Sequence, residues 1–451
     1  MRRSVISGLA AALVLTSAGV CGAVAASAAP AAPAATTGVA DGAFVSLKPA
    51  RLLDTRGGSL ARPLNAGEVF NLKVNGRGGL PSSGVMAVVL NLTVTGPTRA
   101  GNIVAYPKGA AVPNASSLNF VAGDTRANLV TVPVSSDGWV SIRNAVGQTH
   151  VIADVQGYYV GSTTTPPAGA VDYFPDTPWR ALDTRTDADV HALKPNTYVV
   201  QSVDYGTETP NISALAINVT AVRPVAKGYL NAWNGDENAI PNTSNLNFAA
   251  GQTTSNMVLV PVTHSTGTSG QALVDFAVGN ASTGDVDVII DVVGVYSKGD
   301  GLRFRSAGSP KRIVDTRTGV GTTTLGAATT RTVTAPSTVA NSSTIALVTN
   351  TTAVKPTAAT YLTLWETGTT RSAASNLNPA AGQTVANMAM VGLSQNYQFN
   401  IYNNAGTTDV IVDVAGRFDI SPNFSGAPGT AATFSAQKAP KATSSETAPL
   451  R

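Results

Sequence analysis

The sequence is short of several things, and each shortage closes off a class of function. Its 451 residues hold one cysteine, Cys21, inside an N-terminal segment expected to be removed. A mature chain without cysteine has no disulfide and no thiolate chemistry. Charged residues make up only 12%, and the formal net charge is +4, with Arg2 and Arg3 again in the removable segment. No Lys/Arg cluster tracks a phosphate backbone, so nucleic acid is not an expected partner. The three histidines, His150, His191 and His264, have no metal-ligand spacing, so no metal and no cofactor is expected. Nucleophile elbows, Gly-rich phosphate loops and His-Glu-x-x-His motifs are missing too. Beyond the first 28 residues no apolar run approaches the length of a membrane-spanning helix, so no span is expected in the mature chain.

The first 28 residues read as a secretory signal peptide. Arg2-Arg3 is the charged start, Ile6 to Val24 a mostly apolar, Ala-rich run, and Ala26-Ser27-Ala28 a small-residue cleavage site. A membrane anchor fits less well, because the run is short and rich in Ala and Gly. Lipidation of Cys21 is disfavoured by the bulky Val20 before it. The mature protein is therefore expected to be extracellular, beginning near Ala29 with an Ala/Pro/Thr linker (29–42).

What the chain does have is a repeat. Arg51-Leu-Leu-Asp-Thr-Arg56 returns as Arg180-Ala-Leu-Asp-Thr-Arg185 and Arg312-Ile-Val-Asp-Thr-Arg317, about 130 residues apart each time. The same landmarks follow each copy in the same order. An apolar strand carries Asn-x-Thr at Asn91, Asn218 and Asn350. Ser-x-Leu-Asn follows at Ser116, Ser244 and Ser375, ending in Asn119, Asn247 and Asn378. Next come Gly123, Gly251 and Gly382, with Asn128, Asn256 and Asn387 opening an apolar run. A closing strand is centred on Asp154, Asp291 and Asp413. Landmarks in register three times over indicate three copies of one domain.

The fold class expected is all-β: three tandem β-sandwich-like or closely related barrel domains, each of about eight mostly antiparallel strands. Short runs rich in Val, Ile and Thr alternate with turn residues, and no window shows a helical stripe. In the first copy the strands fall at 51–55, 69–74, 85–94, 102–106, 117–120, 129–134, 139–142 and 151–159. The domains span 43–161, 171–297 and 302–420. A Pro/Thr linker (162–170) and a shorter one (298–301) join them, so the second and third keep the more fixed orientation. Each unit has room for its own core and is expected to fold independently, the three lying along a rod. The tail, 421–451, is Ser-, Ala-, Pro- and Thr-rich and is expected to be disordered.

Two sets of residues are candidates for a role. In the Asp-Thr-Arg motif, Asp54 and Arg56 share one strand face, with Thr55 opposite. The structural reading has Asp54 accepting turn N–H groups and Arg56 pairing with a carboxylate such as Asp154, and likewise for Asp183, Arg185 and Asp291, and for Asp315, Arg317 and Asp413. A polar-ligand or calcium site is the competing reading, and the Arg counts against the metal. Asn91, Asn119 and Asn128 are read as pinning nearby turns.

The second set lies on the aromatic strand, at 101–106, 228–233 and 360–365. One face is clean core: Ile103 and Ala105, Leu230 and Ala232, Leu362 and Leu364. The other face carries Tyr106, Tyr229, Asn231, Trp233, Tyr361, Thr363 and Trp365. An exposed Tyr/Trp strip of this kind suits a sugar ring or a protein partner. The alternative is that the following loop folds over it.

The pattern Arg-x-Leu-Asp-Thr-Arg, Leu-Asn-Leu-Thr-Val, Ser-Ser-Leu-Asn-Phe and Val-Ile-Ala-Asp-Val-Gln-Gly-Tyr-Tyr159 resembles a repeat common in secreted and surface proteins of actinobacteria. The resemblance covers about residues 43–419 and implies location and domain type, with no secure molecular function. The third copy departs most: Pro379 replaces Phe120 and Phe248, and Gly416-Arg-Phe418 replaces Gly-Tyr-Tyr, which sets apart the role of its last strand. The expected function is a non-enzymatic extracellular binding or structural protein that adheres to cell-wall or other polysaccharide, or to surface proteins. The alternative is a secreted glycan- or wall-acting hydrolase whose carboxylates meet only in space. Self-assembly is not legible in the sequence.

Overall fold

Strands account for nearly all regular structure in this computed structural model, which describes residues 41–58, 60–161, 166–421 and 441–450. The expected signal peptide (1–28) and all but the last two residues of the expected 29–42 linker lie outside the described residues, as do 162–165 of the Pro/Thr linker. The described residues all fall within one compact unit.

The first copy supplies β1 (Phe44–Asp54), β2 (Val69–Lys73), β3 (Val85–Thr95), β4 (Gly101–Pro107), β5 (Leu118–Phe120), β6 (Thr125–Pro133), β7 (Trp139–Asn144) and β8 (His150–Val160). The second supplies β9 (Asp172–Asp183), β10 (Thr197–Asp204), β11 (Ile212–Val222), β12 (Gly228–Trp233), β13 (Leu246–Phe248), β14 (Thr254–Pro261), β15 (Thr263–Thr266), β16 (Ala272–Asn280) and β17 (Asp287–Ser297). The third supplies β18 (Leu302–Asp315), β19 (Thr329–Thr334), β20 (Thr344–Val354), β21 (Leu362–Glu366), β22 (Val385–Gly392), β23 (Gln398–Asn403) and β24 (Asp409–Ile420), and β25 (Lys441–Pro449) follows.

Each copy makes two antiparallel layers. The first copy orders them β1-β8-β3-β6 and β2-β7-β4-β5. The second has β9-β17-β11-β14 facing β10-β16-β12-β13, and the third has β18-β24-β20-β22 facing β19-β23-β21. Between the layers lie three apolar cores, one per copy, built on residues such as Leu90, Ile103 and Ile142; Ile217, Leu230 and Phe276; and Leu347, Leu362 and Phe399. Strand alternation produces this, since Val, Ile and Leu recur every second residue on the inner faces.

The three copies do not lie along a rod. Their β1-type sheets also bury their outer faces, against one another, in a further core drawn from all three copies. Six rings stand at its centre: Phe44, Tyr173 and Phe304 from the first strands, and Tyr159, Tyr296 and Phe418 from the last. Phe44 lies 4.4 Å from Tyr296, Tyr173 4.3 Å from Phe418, and Phe304 4.1 Å from Tyr159. The ring of contacts is therefore closed, first copy on second, second on third, third on first. Backbone bridges tie the same ends: Phe44 with Val171, Leu302 with Tyr173, and Phe304 N–H to Gly42 C=O at 2.9 Å. Phe418 fills the same place as Tyr159 and Tyr296, so the departure at the end of the third copy does not change the role of its last strand.

Of the tail expected to be disordered, 422–440 and Arg451 lie outside the described residues, and the expectation is corrected only for 441–449. Within 421–451, residues 441–449 form β25, which pairs antiparallel with β10 from Thr197↔Pro449 to Asp204↔Lys441.

Candidate functional site

The recurring motif is a compact ionic cluster at the end of each first strand. Arg56 grips Asp54 with Nε–Oδ1 at 2.9 Å and Nη2–Oδ2 at 2.7 Å, while the Arg56 backbone N–H also donates to Asp54. Arg185 and Arg317 hold Asp183 and Asp315 in the same way. Arg56 therefore does not pair with Asp154. That buried carboxylate is taken by Arg51, at 2.8 and 3.1 Å, and Asp291 and Asp413 by Arg180 and Arg312. The sequence reading missed this first arginine, although its recurrence at the same place in all three copies was the available signal. Hydrogen bonding from Arg56 holds the Asp54 carboxyl down at about 2, whereas burial pushes Asp154 up against the pull of Arg51. Thr55 does point the other way, buried, with its hydroxyl accepting from Val151 N–H.

The asparagines pin structure, but across copies and in the middle of strands. Asn91 donates to the Ser244 carbonyl at 2.6 Å and accepts from Asn256, whose own carbonyl takes the Leu129 N–H. Asn218 does the same with Ser375 and Asn387, and Asn350 with Ser116 and Asn128. Asn128, Asn256 and Asn387 also hold their own copy's loop, donating to the Ser117, Asn245 and Asn376 carbonyls, and Asn119, Asn247 and Asn378 each accept from the serine three residues earlier.

The proposed aromatic strip is not a surface. Tyr106, Asn231, Trp233, Thr363 and Trp365 are all buried, and only Tyr229 and Tyr361 are half-exposed. Following loops fold over the strand: Trp233 Nε1 donates to Asp236 C=O, Trp365 Nε1 to Thr369 C=O, and the Thr363 hydroxyl to Ala374 C=O. Alternation had assigned the inner face correctly and could not show what covers the outer one.

The junctions between copies leave clefts. One of about 430 Å³ lies between the second and third copies, lined by Arg180, Arg185, Thr220, Arg223, Tyr361 and Asn378. Another of about 550 Å³ lies between the third and first, lined by Arg317, Thr324, Thr352, Lys355, Asp409 and Asn119. Each therefore sets an Asp-Thr-Arg arginine and the threonine of Asn-x-Thr against the Ser-x-Leu-Asn asparagine of the next copy. Arg185 and Arg317 are nearly half exposed, while Thr220 and Thr352 are buried and their hydroxyls have no partner among the described residues. Thr93 stands at the same position in the first copy, likewise buried and unpartnered. An unpaired buried hydroxyl costs about 1–3 kcal/mol. Among the described residues no three His, Asp or Glu side chains group as a metal site, and no helix is long and apolar enough to cross a membrane.

No protein-family model matches the chain, and no curated protein matches it. Among solved structures it is similar to one described as the triple jelly roll fold and turret assembly of an archaeal virus, at 10% identity over 84% of this chain and 91% of that one, with a TM-score of 0.16. A second, the atomic structure of Sulfolobus Turreted Icosahedral Virus, is 10% identical over 84% and 92%, also with a TM-score of 0.16. At that TM-score neither likeness bears on function.

Proposed function

We propose that this chain is a secreted, non-enzymatic protein that adheres to cell-wall or other extracellular polysaccharide through the polar clefts at its repeat junctions. One observation carries the reading. The same constellation recurs at two junctions: a half-exposed Asp-Thr-Arg arginine, an exposed Arg223 or Lys355 beside it, and the Ser-x-Leu-Asn asparagine of the next copy. Hydroxyl- and amide-lined clefts of this volume match the chemistry of a sugar, whose own hydroxyls both donate and accept. In the cleft of the second and third copies, half-exposed Tyr361 adds a ring face on which a pyranose can stack. Several weak sites on one chain favour a repetitive polymer, because linkage raises avidity without any site being tight. The signal-peptide pattern and the resemblance to repeats of secreted actinobacterial proteins support the location.

The test is retention of the mature protein on purified cell wall and a polysaccharide panel, beside an Arg223→Gln, Lys355→Gln variant, each side chain exposed and lining one cleft. Both positions are exposed and glutamine keeps most of the side chain while removing its charge, so the variant should melt close to the parent temperature. It should lose at least about tenfold in retention, the value of one or two hydrogen bonds. Undiminished retention would reject the clefts. Failure of the parent protein on every polymer would reject adhesion itself.

A further inference from the structure

The second copy carries a feature the others lack. In every copy the second sheet ends on an edge strand: β2, β10 or β19. Aligned through Asn144, Asn280 and Asn403, the outward residues are Val69, Asn71 and Lys73 on β2, and Thr330, Thr332 and Thr334 on β19. On β10 they are Tyr198, Val200 and Ser202. Charged residues, Lys73 on β2 and Arg331 on β19, blunt an open edge, whereas β10 is uncharged from Thr197 to Val203 and invites another strand. Among the described residues β2 and β19 carry none on that side, and β10 carries β25.

The docking has a backbone part and an anchor. β25 runs antiparallel along all of β10, and past its end the Leu450 N–H donates to Asn196 C=O at 2.6 Å. Ala448 and Leu450 pack on Tyr198, Trp233 and Ala277, with Val200 and Ile240 beside them. The second copy thus has a strand-receiving edge with an apolar end pocket, and the ligand it takes is written in the same chain.

We infer that this edge is an exchange site, and that its partner is the C-terminal strand of a second copy of this chain. A strand from another copy makes the same ladder and the same Leu450 contact, so the two arrangements differ only in the connection. That connection, residues 422–440, reaches up to ~60 Å when extended, long enough to lead to a neighbour's β10. Connection in one chain gives an effective concentration in the millimolar range. The closed monomer therefore dominates in dilute solution, and exchange takes over where copies reach a comparable concentration. β25 then links copies without any new interface. This inference does not depend on the polysaccharide reading.

Cysteine trapping tests it. Val200 and Glu446 are directly paired across the ladder, within the Cα separation a disulfide spans. In a Cys21→Ser background, V200C and E446C are placed in one chain, and separately in two chains that are mixed and oxidised. The double variant should close internally in dilute solution. The mixture should give a product of twice the monomer mass, rising with concentration, and L450D on the donor chain should cut it at least about tenfold. If the double variant closes while the mixture yields no such product up to near-millimolar concentration, the strand is confined to its own chain and the inference fails. If the double variant does not close, β25 is not on β10 and the inference fails as well.

Discussion

Asn218 sits in the middle of an apolar strand and serves a neighbouring copy. It donates to Ser375 C=O at 2.7 Å and accepts from Asn387 at 3.0 Å. Asn218→Ala leaves one N–H of the buried Asn387 amide unpaired and frees the half-buried Ser375 carbonyl, which should cost on the order of 1–3 kcal/mol in urea unfolding of the whole chain. A loss below about half a kcal/mol would mean the junction is not closed in this way. Two aspartates set opposite pH limits. Hydrogen bonding from Arg56 holds Asp54 at about 2, against an ordinary value of 3.8. Its contribution is therefore complete above about pH 4 and is lost as pH falls toward 2. Burial raises Asp176 to about 6, although Trp179 Nε1 donates to it at 2.9 Å. Here the folded state favours the protonated acid. Stability is fully present below about pH 4 and declines as pH rises to about 6. Asp176→Asn should flatten the melting temperature between pH 4 and 6 and leave the fall below pH 4 intact. A profile unchanged in the upper window would show that Asp176 ionises freely in the folded protein.

Strand by strand, the sequence was informative where alternation meets a single packed face. The eight runs read from the first copy correspond to β1 through β8, with β1 starting earlier, at Phe44, whose ring packs into the shared core. The inner face of β4, β12 and β21 was legible for the same reason. The outer face was not, since a two-residue period separates faces without saying what lies over them. Nor does local pattern reveal that the sheet of β1, β8, β3 and β6 is buried on both sides. The clue was compositional: Ala87 and Val89 on β3 stand outside the copy's own core, where an exposed strand would carry polar residues. The pairing of first and last strands adds a requirement for glycine. A Cβ at Gly157, Gly294 or Gly416 would run into the ring of Phe44, Tyr173 or Phe304. Gly294→Ala should therefore cost about 1–3 kcal/mol through overpacking. Equal stability of variant and parent by denaturant titration would mean that the ring of Tyr173 does not sit where the packing places it.

For the molecule as a whole, the question is whether a copy can stand alone. Internal length argues that it can, since each copy has its own core of Leu, Val and Ile. The shared core argues the other way. Excising residues 43–161 would expose Phe44, Ala87, Val89, Leu129 and Tyr159, all buried in the intact chain. At about 1.5–3 kcal/mol for each large side chain, that is a loss comparable with the entire stability of a small domain. It would also strip Asn91 and Asn128 of their partners in the neighbouring copies. The polypeptide 43–161 is therefore expected to melt at least ~20 °C below the full chain, or to associate through the uncovered sheet. The full chain should unfold in one calorimetric transition, because breaking any junction opens the ring of six aromatic side chains that the other two junctions share. Three resolved transitions, or a monomeric fragment melting within a few degrees of the parent, would mean that the copies are separate domains in contact. A single transition would make the closed arrangement the folding unit, with the junction clefts fixed in place by the same asparagines that hold the copies together.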